Sequence, residues 1–439
     1  MRSVKTLRAP VVLGHRGISG TEPENSLVAF DVCANNNIIV ELDCATLSDG
    51  NLGIMHDTTI DRTSNGTGNP SSFTTQQWQE LYLDPSTWLG AGYADTQRLP
   101  LFSEVCSLLK NRAIICPEAK TGTGAGAEIV KTLKRFRIGT DQAIVQSFSQ
   151  SELTAAIASG YQTMLNFWAL STATDFATVA ATGVKYIGYG TTEAGNDARI
   201  ANAKAAGLEV FRYTMNRRTE LATELALGCI GVSSDESIYI TATAPLATRD
   251  TFANGKWMQG MIANRNERGK MLSDGAGSYY WGYETTVAAY FGALMGWACP
   301  LATPTNFTLT FTAKHESLLS GDTSRWYGAF ICADDDTEHK DLSPDQVQGY
   351  QIIARQQGKL QIYKKAKGVA TALQSEVSGA AFALGTFTTI TVVVTATTIT
   401  ATRSDTGQSV SITDSAYRGG YFHLGRNGCS AKFKDVIIT

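Results

Sequence analysis

The sequence predicts an α/β fold, a (β/α)8 TIM barrel, followed by an all-β sandwich of jelly-roll type. Two observations carry this. From Val11 to about Ile240, eight short apolar runs alternate with helical patterns, the rhythm of parallel α/β units. After Ile240 the helical patterns stop and Thr-rich runs alternate apolar with polar residues, as half-buried strands do. The chain has 439 residues, room for two or three domains. The expected division is a barrel over 1–245, an aromatic-rich connecting segment over 246–300 and a sandwich over 301–439.

The strand-like runs are Val11–Leu13, Ile38–Asp43, Ala113–Cys116, Ala143–Val145, Thr163–Leu165, Tyr186–Gly188, Leu208–Phe211 and Cys229–Val232. Between them lie helical stretches such as Leu101–Leu109, Ala125–Phe136, Ser151–Ala158, Ala194–Ala206 and Arg217–Leu227. Most steps are short, as in parallel units. An open doubly wound sheet is the weaker alternative, because no G-x-G-x-x-G turn follows the first run.

One step is long. Between Asp43 and Ala113 lie the turn signal Ser48-Asp49-Gly50-Asn51, then His56-Asp57, then Asp61 to Gly68. In a barrel such a loop belongs at the C-terminal face, where active sites form. The candidate residues fall there too. His15 and Arg16 follow the first run, Glu41 and Asp43 end the second, and Glu118 and Lys120 end the third. Glu41 and Asp43 are two apart, so on a strand they share a face, with Cα atoms about 7 Å apart. Carboxylates converging there repel, and a divalent cation removes the penalty. Oxygen-only ligation suits Ca²⁺, Mg²⁺ or Mn²⁺ rather than zinc. His15 and His56 are the only histidines before Thr243. Two imidazoles, an arginine and a metal suit the cutting of a phosphodiester: one imidazole takes a proton and the other returns one. Either histidine can fill either part.

Composition narrows the classes. Net charge is −3, so no strong attraction to nucleic acid follows. No apolar run is long enough to span a bilayer. The first ten residues carry basic side chains but no apolar signal core, so no secretory signal is expected. Eight cysteines without a C-x-x-C pair read as buried thiols of a chain made in the cytosol.

The motifs together resemble one family. His15-Arg16-Gly17, Pro23-Glu24-Asn25-Ser26, Glu41-Leu42-Asp43, Ser48-Asp49-Gly50, His56-Asp57 and Arg62-Thr63 to Gly68 are similar to the glycerophosphodiester phosphodiesterases. Glu118-Ala119-Lys120, Gln146-Ser147-Phe148, Tyr213-Thr214-Met215-Asn216 and Gly231 to Asp235 continue the series. The resemblance runs from about Val11 to Ile240. It implies metal ligation by Glu41, Asp43 and Glu118, acid–base work by His15 and His56, and phosphate contacts from Arg16 and Lys120. It also implies that Asn25 and Asp57 fix the loops and the imidazoles. Tyr213, Ser26 and Ser234 depart from the tryptophan and threonines of the family pattern, which bears on substrate shape more than on chemistry.

The second half is rich in aromatics over 251–300, including Trp257, Tyr279, Tyr280, Trp281, Tyr283, Tyr290, Phe291 and Trp297. Its last strands, Tyr421–Arg426 and Phe433–Val436, resemble concanavalin-like or laminin-G-like sandwiches, which commonly bind glycans. A glycan-binding module joined to a phosphodiesterase points to a surface polymer with phosphodiester links, teichoic-acid-like or a glycerol-phosphate-bearing polysaccharide. The expectation is a phage tail receptor-binding depolymerase, made in the cytosol, acting outside the cell as part of a virion tail, and homo-oligomeric, a trimer if a tail protein. The alternatives are a cytosolic or exported enzyme acting on deacylated phospholipids, and an adhesin with an inactive barrel.

Overall fold

The computed structural model describes residues 3–93, 97–120, 122–171, 173–190, 196–242, 262–263, 271–281, 295–298, 305–337, 348–366, 369–372 and 377–439. These fall into two compact units, bounded as Met1–Thr87 with Ala94–Thr241 and as Trp88–Tyr93 with Ala242–Thr439.

In the first unit the strands are β1 (Val11–Gly14), β2 (Ile39–Thr46), β3 (Leu52–Ile54), β4 (Ile115–Ala119), β5 (Ile144–Ser147), β6 (Gln162–Phe167), β7 (Tyr186–Tyr189), β8 (Glu209–Tyr213) and β9 (Gly231–Ser234). Their order is β1-β9-β8-β7-β6-β5-β4-β2, and β1 pairs again with β2. All these neighbours are parallel, so eight strands close a (β/α)8 barrel. Its inner floor is Val11, Leu13, Ile39, Ile144, Met164, Tyr186 and Phe211. Helices cover the outside. Ala125–Arg135 turns Ile129, Val130 and Leu133 inward and leaves Lys131 and Lys134 in water, the pattern of a helix with one apolar stripe. Leu27–Asn35 is capped by the Ser26 hydroxyl, which accepts from Ala29 N at 3.1 Å. Such a cap contributes about 1 kcal/mol.

Every expected apolar run is a barrel strand, and several strands run further at their C-terminal ends. β4 continues through Pro117-Glu118-Ala119, β5 through Gln146-Ser147 and β8 through Arg212-Tyr213. Apolar runs mark the filled floor of a barrel, whereas the upper strand residues are polar because they form its mouth. β2 also outruns its apolar stretch and turns back into the antiparallel β3. The turn is closed by Leu47 N donating to Asn51 O at 2.8 Å, with Gly50 at φ +81°, where glycine is favoured. Further along the step, Met55, Ile60, Trp78, Leu83 and Leu99 share an apolar cluster of their own.

Among its described residues the second unit has two sheets. One contains Tyr421–Asn427, Trp326–Ala333, Gly349–Arg355 and Lys359–Ala366. The other contains Tyr279–Trp281, Cys429–Ile438, Phe307–Leu318, Thr388–Val394, Thr398–Arg403 and Ser409–Thr413. Both contribute to one core, with Phe311, Tyr327, Ile352, Ile362, Val392 and Phe433 among its members. Leu89, Tyr93 and Tyr279 share that core, and Ala91 N donates to Ser273 O at 2.9 Å. Gly90 lies so close to Ser273 that a Cβ would sit 2.2 Å from its carbonyl oxygen. Trp257, Tyr283, Tyr290 and Phe291 lie outside the described residues, as does Cys299. The seven described cysteines are buried thiols. No helix among the described residues is long and apolar enough to cross a membrane.

Candidate active site

Adjacent strand ends bring the acidic residues together. Asp43 on β2 stands directly opposite Glu118 on β4. Glu41 shares the face of Asp43. Ligand atoms of Glu41, Asp43 and Glu118 lie within 4.8 Å of one another, and all three residues are buried. His15, Arg16, Glu41, Asp43, His56 and Glu118 line one cavity of ≈ 220 Å³. Lys120 meets the cluster from the end of β4, its Nζ 2.7 Å from both Asp43 and Glu118.

The electrostatics follow from this crowding. Burial raises the pKa of Glu41 well above the carboxylate range, and Asp43 and Glu118 push it further. Burial also raises Glu118, despite Lys120. Asp43 goes the other way despite its burial: the charges of Lys120 and Arg16, with the hydrogen bond from Asn25, hold it ionised. Arg16 keeps its charge against burial because Glu24, Asp43, Asp235 and Glu41 surround it. Three buried carboxylates thus have too little positive charge to ionise together, which is the condition a divalent cation relieves. The donor set is all oxygen, which fits a hard cation such as Ca²⁺, Mg²⁺ or Mn²⁺.

Each imidazole is oriented through Nδ1. His15 Nδ1 is 2.9 Å from Asp235 Oδ1. Asp235 is buried and also accepts from Ser19 Oγ at 2.6 Å and Asn216 Nδ2 at 2.9 Å. His56 Nδ1 is 2.7 Å from Asp57. Asp57 accepts from Arg62 Nε at 2.6 Å, and Arg62 also bonds Glu24, which takes Arg16 Nη1 at 3.0 Å. One charge-assisted chain therefore links the His56 loop to the His15 loop. With Nδ1 engaged, Nε2 of each ring is left for the proton work.

Several of these residues carry no expected role. Asp235 stands 220 positions from His15, so no local spacing reveals the pair. Glu24 and Arg62 sit inside quoted motifs, but their mutual bond crosses two loops. Asn25 is expected to steady loops and imidazoles. Its backbone N donates to Arg16 O at 2.9 Å, and its amide bonds Asp43 Oδ2 at 2.9 Å, so it also orients a carboxylate. Gln146 Nε2 donates to Glu41 at 2.6 Å, and Gln146 Oε1 accepts from Asn166 Nδ2 at 3.1 Å. Trp168 stacks on Phe148 at the cavity wall.

Burial lowers the pKa of His56 below its usual 6.5, although Asp43 opposes this. The ring is therefore expected to be neutral at pH 7 and to take its proton only below pH 6.5. A bound cation would push in the same direction. Ring-proton NMR of His56 against pH checks this, and a midpoint above 7 would contradict it.

A closed barrel with a buried carboxylate cluster and two carboxylate-held histidines at one mouth defines a phosphoric diester hydrolase. The chain belongs to the glycerophosphoryl diester phosphodiesterase family, whose sequence pattern matches residues 15–238. It is similar to the Bacillus subtilis (strain 168) protein YhdW, at 28% identity over 52% of this chain and 96% of that one. A glycerophosphodiester phosphodiesterase of the same strain is 25% identical over 51% of this chain and 82% of its own. Among solved structures, an Oleispira antarctica phosphodiesterase in complex with sn-glycerol-3-phosphate matches with a TM-score of 0.48 and 23% identity. That match covers 53% of this chain and 95% of the other.

Proposed function

We propose that the barrel cleaves glycerol-type phosphodiesters with one divalent cation and the pair His15 and His56. The observation that carries this is the convergence of Glu41, Asp43 and Glu118 beside two oriented imidazoles. Glu41, Asp43 and Glu118 would hold the cation, Ca²⁺ or Mg²⁺ with Mn²⁺ also suited, which supplies positive charge against the phosphoryl oxygens. Arg16 Nε lines the site without a hydrogen-bond partner and donates to a phosphoryl oxygen. Lys120 balances the carboxylates and adds charge at the phosphate. The nucleophile is water or the adjacent glycerol hydroxyl. As its oxygen bonds to phosphorus, its proton passes to one imidazole. The bond from phosphorus to the leaving alcohol breaks, and the other imidazole protonates that oxygen. Attack by water gives a phosphomonoester and an alcohol directly; attack by the hydroxyl gives a cyclic diester, which water then opens.

The substrate we assign is a glycerol-phosphate-containing cell-surface polymer, as for a tail receptor-binding depolymerase. Support comes from the second, two-sheet unit on the same chain, an architecture that commonly binds glycans. Binding there would raise the local concentration of polymer at the barrel. A chain ending near residue 244 is expected to match the full chain on glycerophosphocholine and to fall behind it on a glycerol-phosphate polymer, with products followed by mass spectrometry. Equal loss on both substrates, in protein verified as folded, would contradict the polymer assignment.

A further inference from the structure

The cavity has a second wall that the hydrolytic chemistry leaves unused. Phe148 follows β5, Trp168 follows β6 and Tyr213 ends β8, and all three line the cavity. Phe148 and Trp168 stack with centroids 4.8 Å apart and planes 28° apart. Tyr213 meets Phe148 edge-on at 6.1 Å and 80°, its hydroxyl donating to Phe167 O. Trp168 is 72% exposed, the most exposed large apolar side chain among the described residues. An indole fixed by stacking yet left in water is a preorganised platform.

The same cavity also offers a buried acceptor without a hydrogen-bond partner. Asn166 is 5% exposed. Its amide nitrogen is spent on Gln146, and its Oδ1 has no hydrogen-bond partner. Gly188 makes room for that oxygen, since a Cβ there would lie 2.4 Å from it. A buried acceptor without a partner costs stability, and a ligand hydroxyl satisfies it. The three carboxylates lining the cavity are engaged by Arg16, Gln146, Asn25 and Lys120. None is left to balance a quaternary ammonium on the aromatic wall.

We propose that Phe148, Trp168, Tyr213 and Asn166 Oδ1 form a subsite for a neutral pyranose ring carried by one alcohol of the phosphodiester. The C–H face of the sugar lies on Trp168, and a ring hydroxyl donates to Asn166. This rests on the phosphodiesterase reading and deepens it: the barrel itself selects a glycosylated diester.

The test uses the full chain loaded with Ca²⁺ or Mg²⁺. Values of kcat/KM are compared for glycerophosphoglucose, glycerophosphocholine and glycerophosphoethanolamine. The glucose diester is expected to lead the ethanolamine diester by about tenfold or more, through KM. Trp168→Ala should bring that ratio near one, and Trp168→Phe should keep part of the preference. Trp168 stands in solvent, so the alanine variant should keep the wild-type melting temperature. No preference in the wild type, a preference that survives Trp168→Ala, or a choline diester as good as the glucose diester would each overturn the subsite. If none of the three is cleaved, the phosphodiesterase reading fails and the subsite with it.

Discussion

Replacing His15 or His56 by alanine is expected to lower kcat by about a hundredfold or more, the usual contribution of a positioned acid or base. Each ring is held through Nδ1 by its own carboxylate, Asp235 or Asp57, so each has a separate task at one phosphorus centre. The double variant should fall less than the product of the two single losses, because both act in the same displacement at phosphorus. Steady-state kinetics on glycerophosphocholine, with folding checked by circular dichroism, reads the result. A single variant that keeps near-wild-type kcat would remove that histidine from the mechanism.

The second large effect concerns the carboxylates. Glu41→Gln is expected to lower activity by about a hundredfold or more by weakening cation binding, while leaving the metal-free protein as stable as the wild type or more so. Burial together with Asp43 and Glu118 already favours the protonated Glu41, and glutamine copies that uncharged form. Asp43→Asn should differ. Asp43 is the ionised partner of Lys120 and lies 3.6 Å from Arg16 Nε, so losing its charge leaves buried cations underpaired. Both activity and melting temperature should fall. Thermal melts of the two variants after chelation, set beside their kcat/KM values, separate the cases. A Glu41→Gln protein that melts well below wild type and stays active would contradict this reading of the cluster.

What the sequence revealed depended on distance along the chain. The Glu41 and Asp43 pair was readable because strand geometry alone puts alternate residues on one face. Glu118 needed the β2–β4 register, which sets it opposite Asp43, and family resemblance supplied it. The Asp235 contact with His15 requires barrel closure, where Gly14 pairs with Ser234. Trp168 carried no motif: an aromatic just past a strand reads as core until its exposure is known. The strand ends were short in the reading for a related reason, since apolar runs stop where the cavity begins.

The account stands most directly on a metal titration. Protein stripped of metal should not hydrolyse glycerophosphocholine. Adding Ca²⁺, Mg²⁺ or Mn²⁺ should restore turnover in proportion, up to one bound ion per chain, with the phosphomonoester identified by mass spectrometry. Full turnover by exhaustively chelated protein, its lack of metal verified by elemental analysis, would contradict the central claim.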